Sequence, residues 1–135
     1  MKKWILCLLL PVTLKSMAQF HMDAHLATNH LWRGMEVTDG LVFTGDINYS
    51  FFGGIVNVGF WGGTNTKGTY KEFNNHLSLH YKGVSLAFWD TYNFSKGANY
   101  NNKEFFNYKA RSTGRFLDAT LSYRFGQKMP LLLSW

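Results

Sequence analysis

The sequence predicts an all-β protein, an antiparallel transmembrane β-barrel built as an up-and-down meander and preceded by a signal peptide. The first observation is the alternation of apolar and polar residues over 73–94, which only Lys82-Gly83 interrupts. Because successive side chains of a strand point to opposite faces, this stretch predicts a β-hairpin with one apolar and one polar face. The second observation is the aromatic residues at the strand ends, which are typical of the two interfacial girdles of a barrel in lipid.

Residues 1–18 have the layout of a secretory signal peptide. Lys2-Lys3 give a basic start, 4–14 form an apolar run, and Ser16-Met17-Ala18 place small residues at both ends of a cleavage motif. The apolar run is too short for a transmembrane helix, which needs about 20 apolar residues. We therefore expect export, cleavage after residue 18, and a mature chain 19–135 that forms part of a barrel in the cell outer membrane.

The composition narrows the classes of function. Loss of Lys2, Lys3 and Lys15 with the signal peptide leaves 11 of the 14 basic residues against 8 acidic residues, so the formal net charge falls from +6 to +3. These charges form no basic stripe and no RNA-binding motif accompanies them, so we expect no nucleic-acid partner. The single cysteine, Cys7, leaves with the signal peptide, which excludes disulfides and thiol catalysis. No Ser, His and acid set has a marked spacing, so we expect neither an enzyme nor a cofactor.

Seven candidate strands follow the signal peptide, and no segment after it has a helical periodicity. The second half of Phe105–Phe125 alternates cleanly, but Ser112-Thr113-Gly114 leaves open whether this stretch is one long strand or a kinked pair. In chain order, the candidate strands are Phe20–Arg33, Leu41–Tyr49, Gly54–Trp61, Phe73–Tyr81, Val84–Phe94, Phe105–Phe125 and Leu131–Trp135.

The predicted connections alternate in length along the chain. Short turns at one end and longer loops at the other are typical of a barrel with periplasmic turns and outer loops. The short connections are Ser50–Gly53, Lys82-Gly83 and Gly126–Pro130. The connections at the opposite end are Gly34–Gly40, a turn that closes on Asp39-Gly40, and the polar loops Gly62–Glu72 and Ser95–Glu104.

Charged and imidazole side chains fall on the polar faces of these strands, where we expect them to line a lumen. The histidines of a pair such as His76 and His80 could bind a transition metal together, but a role in lining a wet interior explains them equally well, and we expect no metal. The carboxylates and guanidinium groups either filter solutes or pair across the lumen and brace the wall. The candidate lumen-lining residues are His21, Asp23, His25, Arg33, Asp46, His76, His80, Asp118 and Arg124.

Large aromatic residues near the strand ends form the candidate interfacial girdle. One charge breaks the pattern, because Asp90 falls on the apolar face, where a charge in contact with lipid is costly. We therefore expect Asp90 near a rim or beside a bulge. The candidate girdle residues are Trp32, Tyr49, Phe60, Phe73, Tyr81, Tyr92, Phe94, Tyr123 and Phe125.

Several short motifs resemble the TorF-like porin family. They are the aromatic-rich opening His30–Met35, the Asp39-Gly40 pair, the segment Gly54–Gly63, and Ser112–Arg115 with the later Pro130-Leu131. The resemblance covers most of the mature chain and implies an outer-membrane β-barrel whose solute is generally not established. Chains of that family continue well beyond a point like the last residue here, so the resemblance also implies that these residues are roughly the first half of such a barrel.

The expected function is passive diffusion of small hydrophilic solutes through a polar lumen. The expected partners are outer-membrane lipid, the barrel-assembly machinery and periplasmic chaperones. The alternatives are a small non-conducting outer-membrane barrel with a structural or adhesive role, and a soluble exported β-sandwich binding protein, since alternation by itself fits all three. Seven candidate strands, the last of them the five-residue stub Leu131–Trp135, would not close a barrel. The aromatic Trp135 nevertheless resembles a barrel-assembly signal, which keeps a complete chain possible.

Overall fold

The computed structural model describes residues 19–126 and 131–135, so the predicted signal peptide 1–18 lies outside the described residues. Within them the chain forms one seven-stranded antiparallel sheet whose strands follow one another in sequence order. No helix in the described part of the chain is long and apolar enough to cross a membrane. The strands are β1 Gln19–Trp32, β2 Met35–Phe51, β3 Val56–Asn65, β4 Lys71–Tyr81, β5 Val84–Asn93, β6 Arg115–Arg124 and β7 Leu132–Ser134.

These strands confirm the prediction of an all-β, up-and-down antiparallel sheet, which curls into a half-barrel. From β2 to β6 the pairing runs without a register shift. Side chains on one face therefore line up in rows that cross the strands. Leu79, Leu86 and Leu121 form one such row on the convex face, and His76, Trp89 and Asp118 form one on the concave face.

The first hairpin is tighter than the sequence predicts. Its turn is Arg33-Gly34, with φ values of 49° and 80°, and β2 already begins at Met35. Both turn residues have positive φ, as the two-residue hairpins that suit the twist of the strands require. Gly40, at φ 78°, lies inside β2 next to a register shift between Ala27 and Asn29. The prediction that Asp39-Gly40 closes the turn is wrong because glycine at positive φ also builds β-bulges.

The second outer connection is also shorter than predicted. β3 continues to Asn65 and β4 begins at Lys71, so the loop is 66–70 rather than Gly62–Glu72. Asn65 fixes this loop, because its Oδ1 accepts hydrogen bonds from the backbone N–H groups of Thr69 (2.9 Å) and Tyr70 (3.1 Å). A side-chain amide that caps its own loop in this way leaves the flanking residues free to extend the ladder.

The third outer connection is longer than predicted and covers part of the convex face. It spans 94–114, and 105–111 contains no strand, so the stretch Phe105–Phe125 contributes only β6. Phe105 of this loop packs against the rings of Phe73 (5.9 Å between centroids) and Tyr92 (5.2 Å). The loop therefore forms a flap that is folded onto β4 and β5. Because 105–111 adds no strand, the described strands number seven rather than eight.

The flap explains the charge of Asp90 on the apolar face. Asp90 lies opposite Asn75 and Leu117 in unbroken pairing, so no bulge relieves it. Its carboxylate pairs instead with the guanidinium of Arg115, whose side chain is 1% exposed, and the Tyr108 hydroxyl donates to it at 2.9 Å. A partly buried carboxylate is tolerated when a cation and a hydroxyl donor pair with one of its oxygens in this way.

Two glycines at matching turn positions allow a test of this register. Gly34 and Gly83 both have positive φ, so an alanine at either costs about 1–2 kcal/mol. A Cβ at Gly34 would meet no atom within 4 Å, whereas one at Gly83 would lie 2.8 Å from the Arg124 carbonyl oxygen. We expect Gly83→Ala to lower the free energy of unfolding clearly more than Gly34→Ala, measured by urea titration of the refolded protein. Equal losses would contradict the close pairing of the Lys82-Gly83 turn with β6.

Candidate functional site

The concave face collects most of the predicted lumen residues. His21, Asp23 and His25 of β1 lie opposite Asn48, Asp46 and Thr44 of β2. Asp118 lies further round the sheet, in the row of His76 and Trp89. In the part of the chain that the structure describes, no three metal-ligating side chains of the His, Cys, Asp and Glu types come together. The alternation in the sequence thus locates these residues on one face, but it does not make them one cluster.

One contact on the concave face requires a glycine at the position that it crosses. His76 of β4 reaches across β3 and places its Nε2 2.8 Å from Asp46 Oδ2 on β2. It passes over Gly59, where a Cβ would lie 2.6 Å from the His76 ring and 2.6 Å from Asn48 Cβ. The glycine therefore leaves the space that the imidazole occupies. His80, the other histidine of β4, instead contacts the Ser78 hydroxyl at 3.0 Å.

A second ring lies over a second glycine of β3. The indole of Trp61 folds onto Gly63, where a Cβ would be 2.6 Å from Trp61 Cη2. The His30 ring packs beside this indole, with 5.4 Å between centroids, and stacks on Tyr70 at 5.5 Å. Burial raises the pKa of Tyr70, and the Glu72 carboxylate raises it further, so this phenol stays neutral. Two of the inward residues of β3 are thus glycines, and each is covered by an aromatic ring.

A cross-sheet contact joins the tip of the first hairpin to β6. Arg33 donates from its Nη2 to both carboxylate oxygens of Asp118, at 2.6 and 2.8 Å, and to the Thr120 hydroxyl at 3.2 Å. Beside it, the ring of Trp32 meets that of Phe116 edge to face, with 5.7 Å between centroids. These contacts span the hollow of the curled sheet, and Arg33 and Asp118 form a pair, which is one of the two alternatives that the sequence left open for the charges on the polar face.

The hairpin tip and the sheet enclose a cavity of about 500 Å³. Aromatic residues supply much of its wall, and amides, hydroxyls and charged groups complete it. The lining residues used below are His30, Arg33, Trp61, Asn74, Trp89 and Asp118. Of these, sequence reasoning singled out only Arg33 and Asp118. The alternation already placed Trp61 and Trp89 on the polar face, and a bulky indole among polar residues was the signal that could have found the cavity.

The girdle candidates divide into several groups. Tyr49, Tyr81 and Tyr123 lie on the convex face near the short turns, and Tyr49 and Tyr123 pack edge to face against Phe51 and Phe125. Near the loops, Phe60 stacks on Phe73 and Tyr92 stacks on Phe94.

Two girdle candidates differ from the predicted exposure to lipid. Tyr92 is buried beneath the flap 94–114, where the Arg115 guanidinium lies 5.1 Å from its ring centroid. Trp32 lines the cavity on the concave side. Two register shifts between β1 and β2 precede Trp32, one between Ala27 and Asn29 and one between His30 and Leu31, so the plain alternation that predicts its face does not hold in this part of β1.

Comparison with known proteins gives no relative: no family model, no curated protein and no solved structure matches the chain. The resemblance to the TorF-like porins stays a prediction, and the argument for function depends on the geometry of the two faces.

The role of Gly59, which lies beneath the His76 ring, can be tested by comparison with Gly45, where a Cβ would meet no ring. Gly59→Ala would force the His76 ring or Asn48 to move, whereas a Cβ at Gly45 would meet only the Asp23 carbonyl oxygen, at 3.6 Å. Because alanine in a strand is favoured over glycine by about 0.5–1 kcal/mol, we expect Gly45→Ala to be neutral or stabilising and Gly59→Ala to be destabilising. Urea titration and the NMR signals of the His76 ring measure this. Equal stability with an unmoved His76 ring would contradict the contact across β3.

Proposed function

We propose that this chain forms the wall of an outer-membrane, porin-like channel through which small hydrophilic solutes diffuse passively. The observation that carries the proposal is the apolar surface of the convex face. Among the described residues, the hydrophobic side chains that are buried are those of Val42, Tyr70 and Tyr92, while Phe20 is 61% and Leu117 74% exposed. Soluble monomers rarely expose a large continuous apolar surface. In a β-barrel, lipid covers such a face.

The alternative of a soluble β-sandwich fits this surface poorly. A sandwich hides the apolar face of one sheet against the apolar face of a second sheet. The strands in 19–126 and 131–135 belong to a single sheet, and only the flap 94–114 covers part of its convex face. Lipid is therefore the partner that the proposal assigns to this face, with barrel-assembly machinery and periplasmic chaperones as partners during export.

The polar concave face supplies the solute path in this proposal. Its rows carry amides, hydroxyls and charges, including the contacts between Asp46 and His76 and between Arg33 and Asp118. Such side chains can replace part of the hydration shell of a small polar solute and bias the path by charge. The contact between Arg33 of the first hairpin and Asp118 of β6 narrows this path near the end of the sheet that carries the long loops.

The open edges of the sheet set a requirement on the working channel. In lipid, each unpaired backbone N–H or C=O group costs several kcal/mol, so a wall must close on itself. Within the described residues, β1 pairs only with β2 and β7 pairs only with β6. We therefore propose that further strands, beyond the seven described here, complete the wall.

Planar-bilayer recording tests the proposed channel. We expect stepwise conductance from the protein extended by its downstream coding sequence, and none from the 135-residue chain, because an open sheet cannot seal a pore. Absence of steps from a correctly inserted extended protein would contradict the porin-like function and favour a non-conducting barrel. Stepwise channels from the 135-residue chain would contradict the need for further strands.

Neighbouring residues on β4 test which face meets lipid. Leu79 lies opposite Leu86 on the convex face, and His80 lies opposite Ser85 on the concave face. Arginine facing lipid costs about 2–4 kcal/mol near the bilayer midplane. We expect Leu79→Arg to destabilise the full-length protein in bilayers by up to that amount and His80→Arg, the matched control, to cost much less. Urea titration in lipid vesicles measures the free energy of unfolding of both variants. Equal losses would contradict the assignment of Leu79 to the lipid face and His80 to the polar face.

A further inference from the structure

We propose that the concave cavity beside the first hairpin is a binding site for pyranose sugars, whose rings stack on Trp61 and Trp89. The proposal deepens the proposed function and rests on it in one respect, namely that the sugar is the solute that passes along this wall. The site itself is defined by the described residues and can be tested without conductance.

The sheet holds the two indoles in place with small or flat neighbours. Trp61 lies down on Gly63, since no side chain stands between the ring and the strand. Trp89 stacks on the His76 ring, with 4.6 Å between centroids and 27° between planes. His76 in turn lies over Gly59. Both indoles line the cavity, so the sheet presents to it a surface of aromatic rings.

Polar groups surround these rings. In the row of Trp61, the register places Asn74 directly opposite it and Thr91 next. Asn74 is 5% exposed and donates from Nδ2 to Glu72 Oε1 at 2.9 Å, while its Oδ1 accepts no hydrogen bond from the described residues. A buried acceptor without a donor costs free energy, which a ligand hydroxyl can recover once the Asn74 amide turns toward the cavity. Across the cavity, the Arg33 guanidinium supplies hydrogen-bond donors, which complement the acceptor of Asn74.

This combination fits a pyranose better than an ion. A pyranose ring has apolar C–H faces that suit an aromatic surface and a rim of hydroxyl groups that both donate and accept. The charges of Arg33 and Asp118 neutralise each other, and the Glu72 carboxylate accepts a hydrogen bond from Asn74. The site therefore offers no cluster of like charges that would hold an ion. Its volume of about 500 Å³ falls within the about 300–1,000 Å³ of typical small-molecule sites.

Isothermal titration calorimetry tests the proposal on the same extended protein that is used for the bilayer recordings, refolded in detergent micelles. Maltose is the probe, sorbitol is the control with hydroxyl groups but no ring, and choline chloride is the control for a cation. We expect maltose to bind and sorbitol to bind at least about tenfold more weakly, a ratio that corresponds to about 1.4 kcal/mol.

Strand β3 itself supplies the control variants. Phe60 adjoins Trp61 and faces the convex side, where it stacks on Phe73. We expect Trp61→Ala to weaken maltose binding about tenfold or more, Trp61→Phe to retain part of the affinity, and Phe60→Ala to leave it unchanged. Gly63→Ala displaces the indole without removing it and should also weaken binding. Far-UV circular dichroism identifies variants that fail to fold, and Trp61→Phe then carries the comparison.

The outcomes separate the site from the channel. Equal binding of maltose and sorbitol, binding of choline without maltose, or a Trp61→Phe protein that matches Phe60→Ala and the unmodified chain would overturn the sugar site. Maltose binding without conductance would leave the sugar site standing and overturn the porin-like function. Conductance without maltose binding would do the reverse.

Discussion

The structure depends on one constraint, the unbroken antiparallel pairing from β2 to β6. Because side chains alternate strictly along each strand, a continuous register assigns every residue of five strands to one of two faces. A shift of one residue would carry Leu79 into the hollow and His80 out of it. The apolar exterior, the polar interior and the cavity are thus consequences of pairing, and none of them needs a hydrophobic core.

Three features depart from plain alternation. Beyond the register shifts between β1 and β2, Trp32 and Arg33 of the first hairpin reach β6 across the hollow. On the concave face of β3, glycines beneath rings let His76 and Trp61 lie against the sheet. On the convex face, the flap 94–114 buries Asp90 with Arg115.

Local patterns in the sequence predict much of this fold. Alternation located the strands and the two faces, because a period of two is a property of neighbouring residues. Glycine signals were ambiguous: Gly83 marks a turn, whereas Gly40 at a similar φ marks a bulge inside β2. The end of β3 was missed because Asn65 caps the loop through contacts that composition does not reveal.

Contacts between distant residues were beyond the reach of the sequence. Arg33 and Asp118 are 85 positions apart, and Asp90 and Arg115 are 25 apart. Periodicity says which face such residues share but not which partner each one finds. The same holds for the cavity, whose aromatic walls come from separate strands that only the curl of the sheet brings together. Of the predicted lumen residues, the structure pairs Arg33 with Asp118 and Asp46 with His76.

Spin-label accessibility along β4 tests the two-faced wall most directly. Residues 19–135 contain no cysteine, so a cysteine placed at each position from His76 to His80 in turn can carry one nitroxide in lipid vesicles, with any cysteine elsewhere in the expressed protein replaced by serine. The account predicts that oxygen, which partitions into lipid, collides most at Leu77 and Leu79, and that a water-soluble nickel chelate collides most at His76, Ser78 and His80. Equal access of the nickel chelate to all five positions would contradict a wall with lipid on one face and water on the other.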